Sequence, residues 1–242
     1  MTAVDRRPIR RFRPDRAAPP PTPAQRAAWP LTVPAIAQVL DQGLELPAGA
    51  LVLVGENGSG KSTLLELMAV TLGLNPEGGS VHTRHRTRAT EPESLGLVVE
   101  RSPGASRWGY FLRDETLHGL YSHLEEIGSP DPNYHELSHG EAFLEVLTRR
   151  SGGGGTYLLD EPDAALSFGG SLALVTVLLD LVAAGAQVVV ATHSPIVAAL
   201  PGATLLEVGS WGLRPAVWSE LELTAAWRQF LDDPQTFLRH LR

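Results

Sequence analysis

Gly55-Glu-Asn-Gly-Ser-Gly-Lys-Ser62 gathers glycines, a lysine and a hydroxyl into one short segment. Glycines at this spacing let backbone N–H groups converge on phosphates without Cβ clashes, and a helix starting there adds its partial positive charge. In such a cradle Gly55, Asn57, Gly58, Ser59, Gly60 and Thr63 bind the phosphates of a nucleotide. Lys61 reaches the β/γ-phosphates, and Ser62 holds Mg2+ through its hydroxyl. The composition singles out the same lysine. Of the 20 Lys and Arg residues, every one but Lys61 is arginine. A compact point charge is therefore required at that position.

Two further segments carry chemistry. Tyr157-Leu-Leu-Asp160-Glu161-Pro162 is an apolar run that ends in adjacent acids. At the carboxyl edge of an open α/β sheet, Asp160 would support Mg2+, directly or through water, and Glu161 would orient and deprotonate an attacking water. The plainer alternative is that the acids only terminate a strand. Ala191-Thr-His193-Ser-Pro195 follows the next apolar run, so His193 reaches the same edge, where it can contact the γ-phosphate and the water. Ser194-Pro195 is equally a good N-cap and first-turn pair, which would leave His193 incidental. Leu137-Ser138-His-Gly140-Glu141 contains Ser-x-x-Glu before an apolar helix, the pattern of a capping box.

These residues need elements to position them. Ala50–Val54 reads as a buried parallel strand that feeds the loop at Gly55 and a helix from about 62 to 72. Strands are expected at 95–100, 156–160, 187–191 and 203–208, and helices at 114–127, 140–150 and about 170–184, with a short helix after Pro195. The segment 152–155 reads as a flexible turn. This alternation predicts an α/β fold with a mostly parallel sheet covered on both faces. Residues 1–28 are rich in Arg and Pro and are expected to be a flexible arm outside the core, with one domain over 29–242 and a small helical subdomain at about 102–150.

Composition excludes several functions. With no cysteine, thiol catalysis, disulfides and cysteine-ligated metal sites are ruled out, and a reducing compartment fits. The longest apolar candidate, 172–186, is interrupted by Asp180, so no membrane span is expected. Nothing resembling a secretory h-region follows the N-terminal arginines, and a cytoplasmic location is the expectation. The net charge is −7, although six arginines crowd the first 16 residues. The acidic remainder argues against a surface built wholly for nucleic acid.

Taken together, Val54–Glu66, Glu136–Phe143, Leu158–Ser167 and Ala191–Pro195 resemble the ABC-class P-loop ATPases. More narrowly, they resemble the small free-standing bacterial "AAA family ATPase" proteins related to structural-maintenance-of-chromosomes heads. The resemblance covers about residues 30–210. It implies Mg2+-dependent hydrolysis of ATP to ADP and phosphate, with catalytic roles for Glu161, His193 and Lys61 and metal ligation by Ser62 and Asp160. It also implies an ATP-dependent homodimer in which Ser138 and Gly140 complete the partner's site, so that the chain acts as an ATP-driven dimerising switch. A further protein partner would take up the work.

The chain departs from that pattern in three places. No glutamine occurs between Gln42 and Gln187, so the family's usual Q-loop residue is missing, and Glu100 or Glu115 are weak substitutes. Ser167 stands where transporter subunits usually carry aspartate. The adenine-stacking aromatic is not obvious; Trp29 can stack or simply pack. Alternative readings are the nucleotide-binding subunit of a membrane transporter, and a DNA-repair or genome-defence ATPase. For the latter the arm and the cluster His82-Thr-Arg84-His-Arg86-Thr-Arg88 are the signal, although a charge run is more often a solvated surface.

Overall fold

The run Ala50-Leu-Val-Leu-Val54 forms a strand whose every residue is buried. Its sheet is covered on both faces, which is why the sequence shows no polar alternation. The computed structural model describes residues 7–76, 78–80, 95–113, 139–150 and 154–239. In chain order the first elements are β1 (Ile9–Pro14), α1 (Pro23–Arg26), α2 (Pro34–Gln42), β2 (Leu44–Glu45), β3 (Ala50–Val54), α3 (Lys61–Leu72), β4 (Gly79–Ser80), β5 (Leu97–Arg101) and β6 (Gly109–Arg113). After these come α4 (His139–Arg150), β7 (Thr156–Asp160), α5 (Phe168–Ala183), β8 (Gln187–Thr192), α6 (Pro195–Ala198), β9 (Thr204–Gly209) and β10 (Gly212–Ala216). The helices α7 (Glu222–Asp232) and α8 (Gln235–Leu238) follow them.

The larger sheet has the order β10-β9-β3-β8-β7-β6-β4. Its inner neighbours run parallel, and β10 and β4 add antiparallel edges. Alternate residues feed two cores. Leu51 and Leu53 join Leu64, Leu65, Leu67 and Met68 of α3 on one face. Val52 and Val54 join Phe143 and Val146 of α4 and Leu174 and Leu178 of α5 on the other. Each fully buried leucine or methionine contributes about 1.5–3 kcal/mol, so α3 is anchored mainly by packing.

The smaller sheet, β2-β1-β5, corrects the expected arm. Over Ile9–Pro14 the arginine-rich segment is its central strand, with Ile9 and Phe12 fully buried. A register shift between Ile9 and Arg11 breaks the period-two pattern, so the two buried residues are three apart and the strand is hidden in the sequence. Gln187, 1% exposed, ties this sheet to β8: its side chain accepts from Ile9 N–H and donates to the carbonyls of Ile9 and Pro47. The strand expected at 95–100 is β5, which pairs antiparallel with β1 instead of joining the parallel sheet. Gly109–Arg113 is a strand of the main sheet inside the span expected to be helical. The helix expected at 114–127, Glu115, Ser138, half of the turn at 152–155 and the His82–Arg88 cluster lie outside the described residues.

Candidate functional site

The parallel strands β3, β7 and β8 end at one edge, and the sequence-predicted groups meet there. Between β3 and α3 the loop needs glycine for two physical reasons. A Cβ at Gly55 would lie 2.4 Å from the carbonyl oxygen of Val208, so β9 can approach only a bare backbone. Gly60 has φ +100 and caps α3, and a Cβ there would lie 2.3 Å from Val33 Cγ1. The loop is thus wedged between β9 and the residue preceding α2.

Lys61 opens α3 and is 3% exposed. Its ammonium donates to the carbonyls of Gly55, at 2.7 Å, and Glu56, at 3.0 Å. Burial lowers its pKa, opposed by the charges of Glu161, Asp160 and Asp163. One residue on, the Ser62 hydroxyl donates to Asp160 Oδ1 at 3.0 Å, which joins α3 to the end of β7. Asp160 is 4% exposed. Burial pushes its carboxyl up to about 6, against the opposing effects of Arg113 and of the Ser62 hydrogen bond. Buried Ser59 Oγ has no hydrogen-bond partner among the described residues, an open polar role inside the cradle.

Glu161 leaves the strand with φ +50, an uncommon conformation for a non-glycine residue. Its N–H is fixed to the Ala191 carbonyl at 2.9 Å. Glu161 Oε1 lies 3.4 Å from His193 Nδ1. The residues on either side of His193 are locked in turn. Thr192 Oγ1 donates to Asp163 Oδ1 at 2.7 Å, Ser194 N–H donates to Thr192 Oγ1 at 2.9 Å, and Ser194 Oγ caps α6 by accepting from Ile196 N–H. Ser194 is the cap that the sequence offered, and His193 lies beside Glu161 at the same edge. Burial raises the pKa of Asp163, opposed by the Thr192 hydrogen bond and by His193.

Other expected residues lie elsewhere. Gly140 is buried at the start of α4, where a Cβ would meet Leu166 Cδ2 at 2.5 Å. Ser167 caps α5, accepting from Gly170 N–H. Glu100 lies on β5 of the smaller sheet, between Arg10 and Arg13. Trp29 is 56% exposed. One group at the edge was not singled out from the sequence: Arg113, the register partner of Asp160 across β6 and β7. The signal available was the run Gly109-Tyr-Phe-Leu-Arg113, a short strand ending in a charge.

The donor set suits Mg2+. Among the described residues there is no cluster of three or more His, Cys, Asp or Glu side chains able to cage a metal. A hydroxyl and a carboxylate oxygen 3.0 Å apart beside the glycine-rich loop fit the way Mg2+ is bound, through one or two protein oxygens together with substrate phosphates and water.

The chain is similar to several known proteins. The family described as ABC transporter matches residues 41–164. The cytochrome c biogenesis ATP-binding export protein CcmA of Rhodospirillum rubrum is 31% identical over 227 residues, spanning 84% of this chain and 94% of that protein. The protein of the same name from Rhizobium meliloti is 33% identical over 192 residues, 69% of this chain and 88% of that one. Among solved structures, the SMC head domain from Thermotoga maritima aligns with a TM-score of 0.41 at 13% identity, covering 72% of this chain and 93% of that one.

Proposed function

The chain belongs to the ABC transporter family as an ATPase domain, and we propose that it is an ATP-driven dimerising switch whose hydrolysis site is the edge formed by Lys61, Ser62, Asp160, Glu161 and His193. The Ser62–Asp160 hydrogen bond carries this reading, because it joins the phosphate loop to the acidic strand end with Lys61 and Glu161 on either side. Loop N–H groups and the start of α3 hold the phosphates, with the Lys61 ammonium exchanging its loop carbonyls for phosphate oxygens. Ser62 and Asp160 would hold Mg2+, which when bound neutralises charge on the β- and γ-phosphates.

Glu161 orients a water and takes its proton as the water oxygen attacks the γ-phosphorus. The bond from that phosphorus to the β,γ-bridging oxygen breaks, giving ADP and phosphate. His193, held opposite Glu161, supplies a second polar contact to the water or the γ-phosphate. In a homodimer the segment with Ser138 and Gly140 would complete the site of the second subunit. Light scattering on Glu161→Gln tests the switch: a monomer without nucleotide and a dimer with Mg2+–ATP are expected, with Ser138→Arg preventing the dimer. A constant monomer mass would defeat it.

A second reading is supported by the relatives. Proteins named as ATP-binding export proteins match this chain over nearly their whole length, so the chain is also a candidate transporter subunit at the cytoplasmic face of a membrane. Among the described residues no helix is long and apolar enough to cross a membrane, so in this reading the membrane-spanning part lies outside those residues. Co-sedimentation with membranes supports the transporter. Free-standing behaviour supports kinship with the ATPases related to structural-maintenance-of-chromosomes heads, and binding to DNA that weakens with salt would point to nucleic acid instead.

A further inference from the structure

Arg113 ends β6, and its side chain is 12% exposed. One terminal nitrogen lies 2.5 Å from Glu66 Oε1 on α3 and donates to the Pro76 carbonyl at 3.4 Å. Its Nε lies 3.4 Å from Asp160 Oδ2, and its Cζ is 5.8 Å from the centre of the Phe111 ring. The guanidinium is therefore fixed by groups from α3, from the segment after it, from β6 and from β7. The two oxygens of Asp160 have different neighbours: Oδ2 faces Arg113, and Oδ1 accepts from Ser62. A planar guanidinium can face two carboxylates at a set angle, which a lysine ammonium cannot.

We propose that Arg113 is a positioning residue for the metal–nucleotide complex: clamped by Glu66, it holds Asp160 by Oδ2 and so aims Oδ1 at the Ser62 hydroxyl, the pair of oxygens that would bind Mg2+. This rests on the phosphate-site reading above. Without the guanidinium, the buried Asp160 and the partly buried Glu66 face each other with no cation between them, and their repulsion turns the Asp160 carboxylate away from Ser62. The effect falls mainly on the metal, because Arg113 makes none of these contacts with the loop N–H groups or Lys61, which Asp160 reaches only through its charge.

The test uses the full chain and a fluorescent ATP analogue, titrated in EDTA and then against Mg2+ at fixed nucleotide. In Arg113→Gln the half-saturating Mg2+ concentration should rise by about 10-fold or more, the usual cost of losing a partner behind a metal ligand, while affinity in EDTA changes by less than about threefold. Arg113→Lys should recover part of the loss. An unchanged Mg2+ midpoint in folded Arg113→Gln overturns the inference, as does an equal loss of affinity with and without Mg2+. Should Arg113→Gln fail to fold, Glu66→Gln, which removes one side of the clamp, must raise the Mg2+ midpoint, and no rise overturns the inference. A wild-type chain that binds no analogue at all would overturn the site reading itself, and this inference with it.

Discussion

Replacing Lys61 by alanine removes an ammonium that donates to the carbonyls of Gly55 and Glu56 and lies near three acids. Each charge-assisted hydrogen bond contributes about 1.5–3 kcal/mol, but losing the ion also relieves its desolvation. The net cost to the nucleotide-free protein is therefore about 1–3 kcal/mol, small enough to leave it folded. The cost to binding is larger. An ammonium about 4 Å from a phosphate charge at an effective dielectric of about 20 gains about 4 kcal/mol, which corresponds to roughly a 1,000-fold rise in Kd. Lys61→Arg sharpens the test, because a bulkier planar fork must enter a slot that leaves the lysine 3% exposed. Overpacking of about 1–3 kcal/mol is expected there, so this charge-conserving change should also weaken binding. Calorimetry gives the ATP affinity, and urea unfolding without nucleotide gives the stability. A Kd within about threefold of wild type for Lys61→Ala, in a protein with an intact unfolding transition, would refute this reasoning.

Three further outcomes are expected. Asp160 binds a proton as its pKa is pushed up to about 6, so Mg2+ must displace that proton in acid. Apparent Mg2+ affinity for the nucleotide-bound protein should be lower in acid than at neutral pH, falling by up to about tenfold per unit once Asp160 is protonated; equal affinities at pH 5 and pH 7.5 would contradict this. In the nucleotide-free state the sign for folding is the opposite. The raised carboxyl favours the folded form most at low pH, and that contribution is lost as pH rises through about 6, which urea midpoints across that range will show. Gly60→Ala should abolish binding through the clash with Val33 Cγ1, and adding Val33→Ala should restore part of it in the same titration. Gln187→Leu leaves the Ile9 N–H and two carbonyls unpaired, costing about 2–4 kcal/mol, read as a fall in Tm of roughly 5–15 °C.

Contiguous chemistry was legible in the sequence, and chemistry assembled across strands was less so. The phosphate loop is one segment, and its glycines, lysine and serine are set by local sterics and charge. Asp160 and Glu161 were legible because an apolar run with two buried faces ends at them. His193 was placed at the edge, but its pairing with Glu161 depends on the turn at φ +50 and on the Thr192–Asp163 hydrogen bond, neither of which has a local signature. β1 was hidden because its register shift spaces the buried Ile9 and Phe12 unlike a regular strand, and arginines fill the gaps. The run Gly109–Arg113 marks a strand ending in a charge, but that Arg113 meets Asp160 follows only from β6 lying beside β7 in register. That pairing is long-range, and neither strand specifies it alone.

The account turns on Glu161 as the group that activates water at a site built by Lys61, Ser62 and Asp160. Phosphate release from saturating Mg2+–ATP, measured for wild type and Glu161→Gln alongside their ATP affinities, addresses it most directly. Wild type should turn over. Glu161→Gln should bind ATP equally well and release phosphate at least about 100-fold more slowly, the loss typical of a missing general base. Wild-type phosphate release by Glu161→Gln at equal ATP affinity would contradict the account.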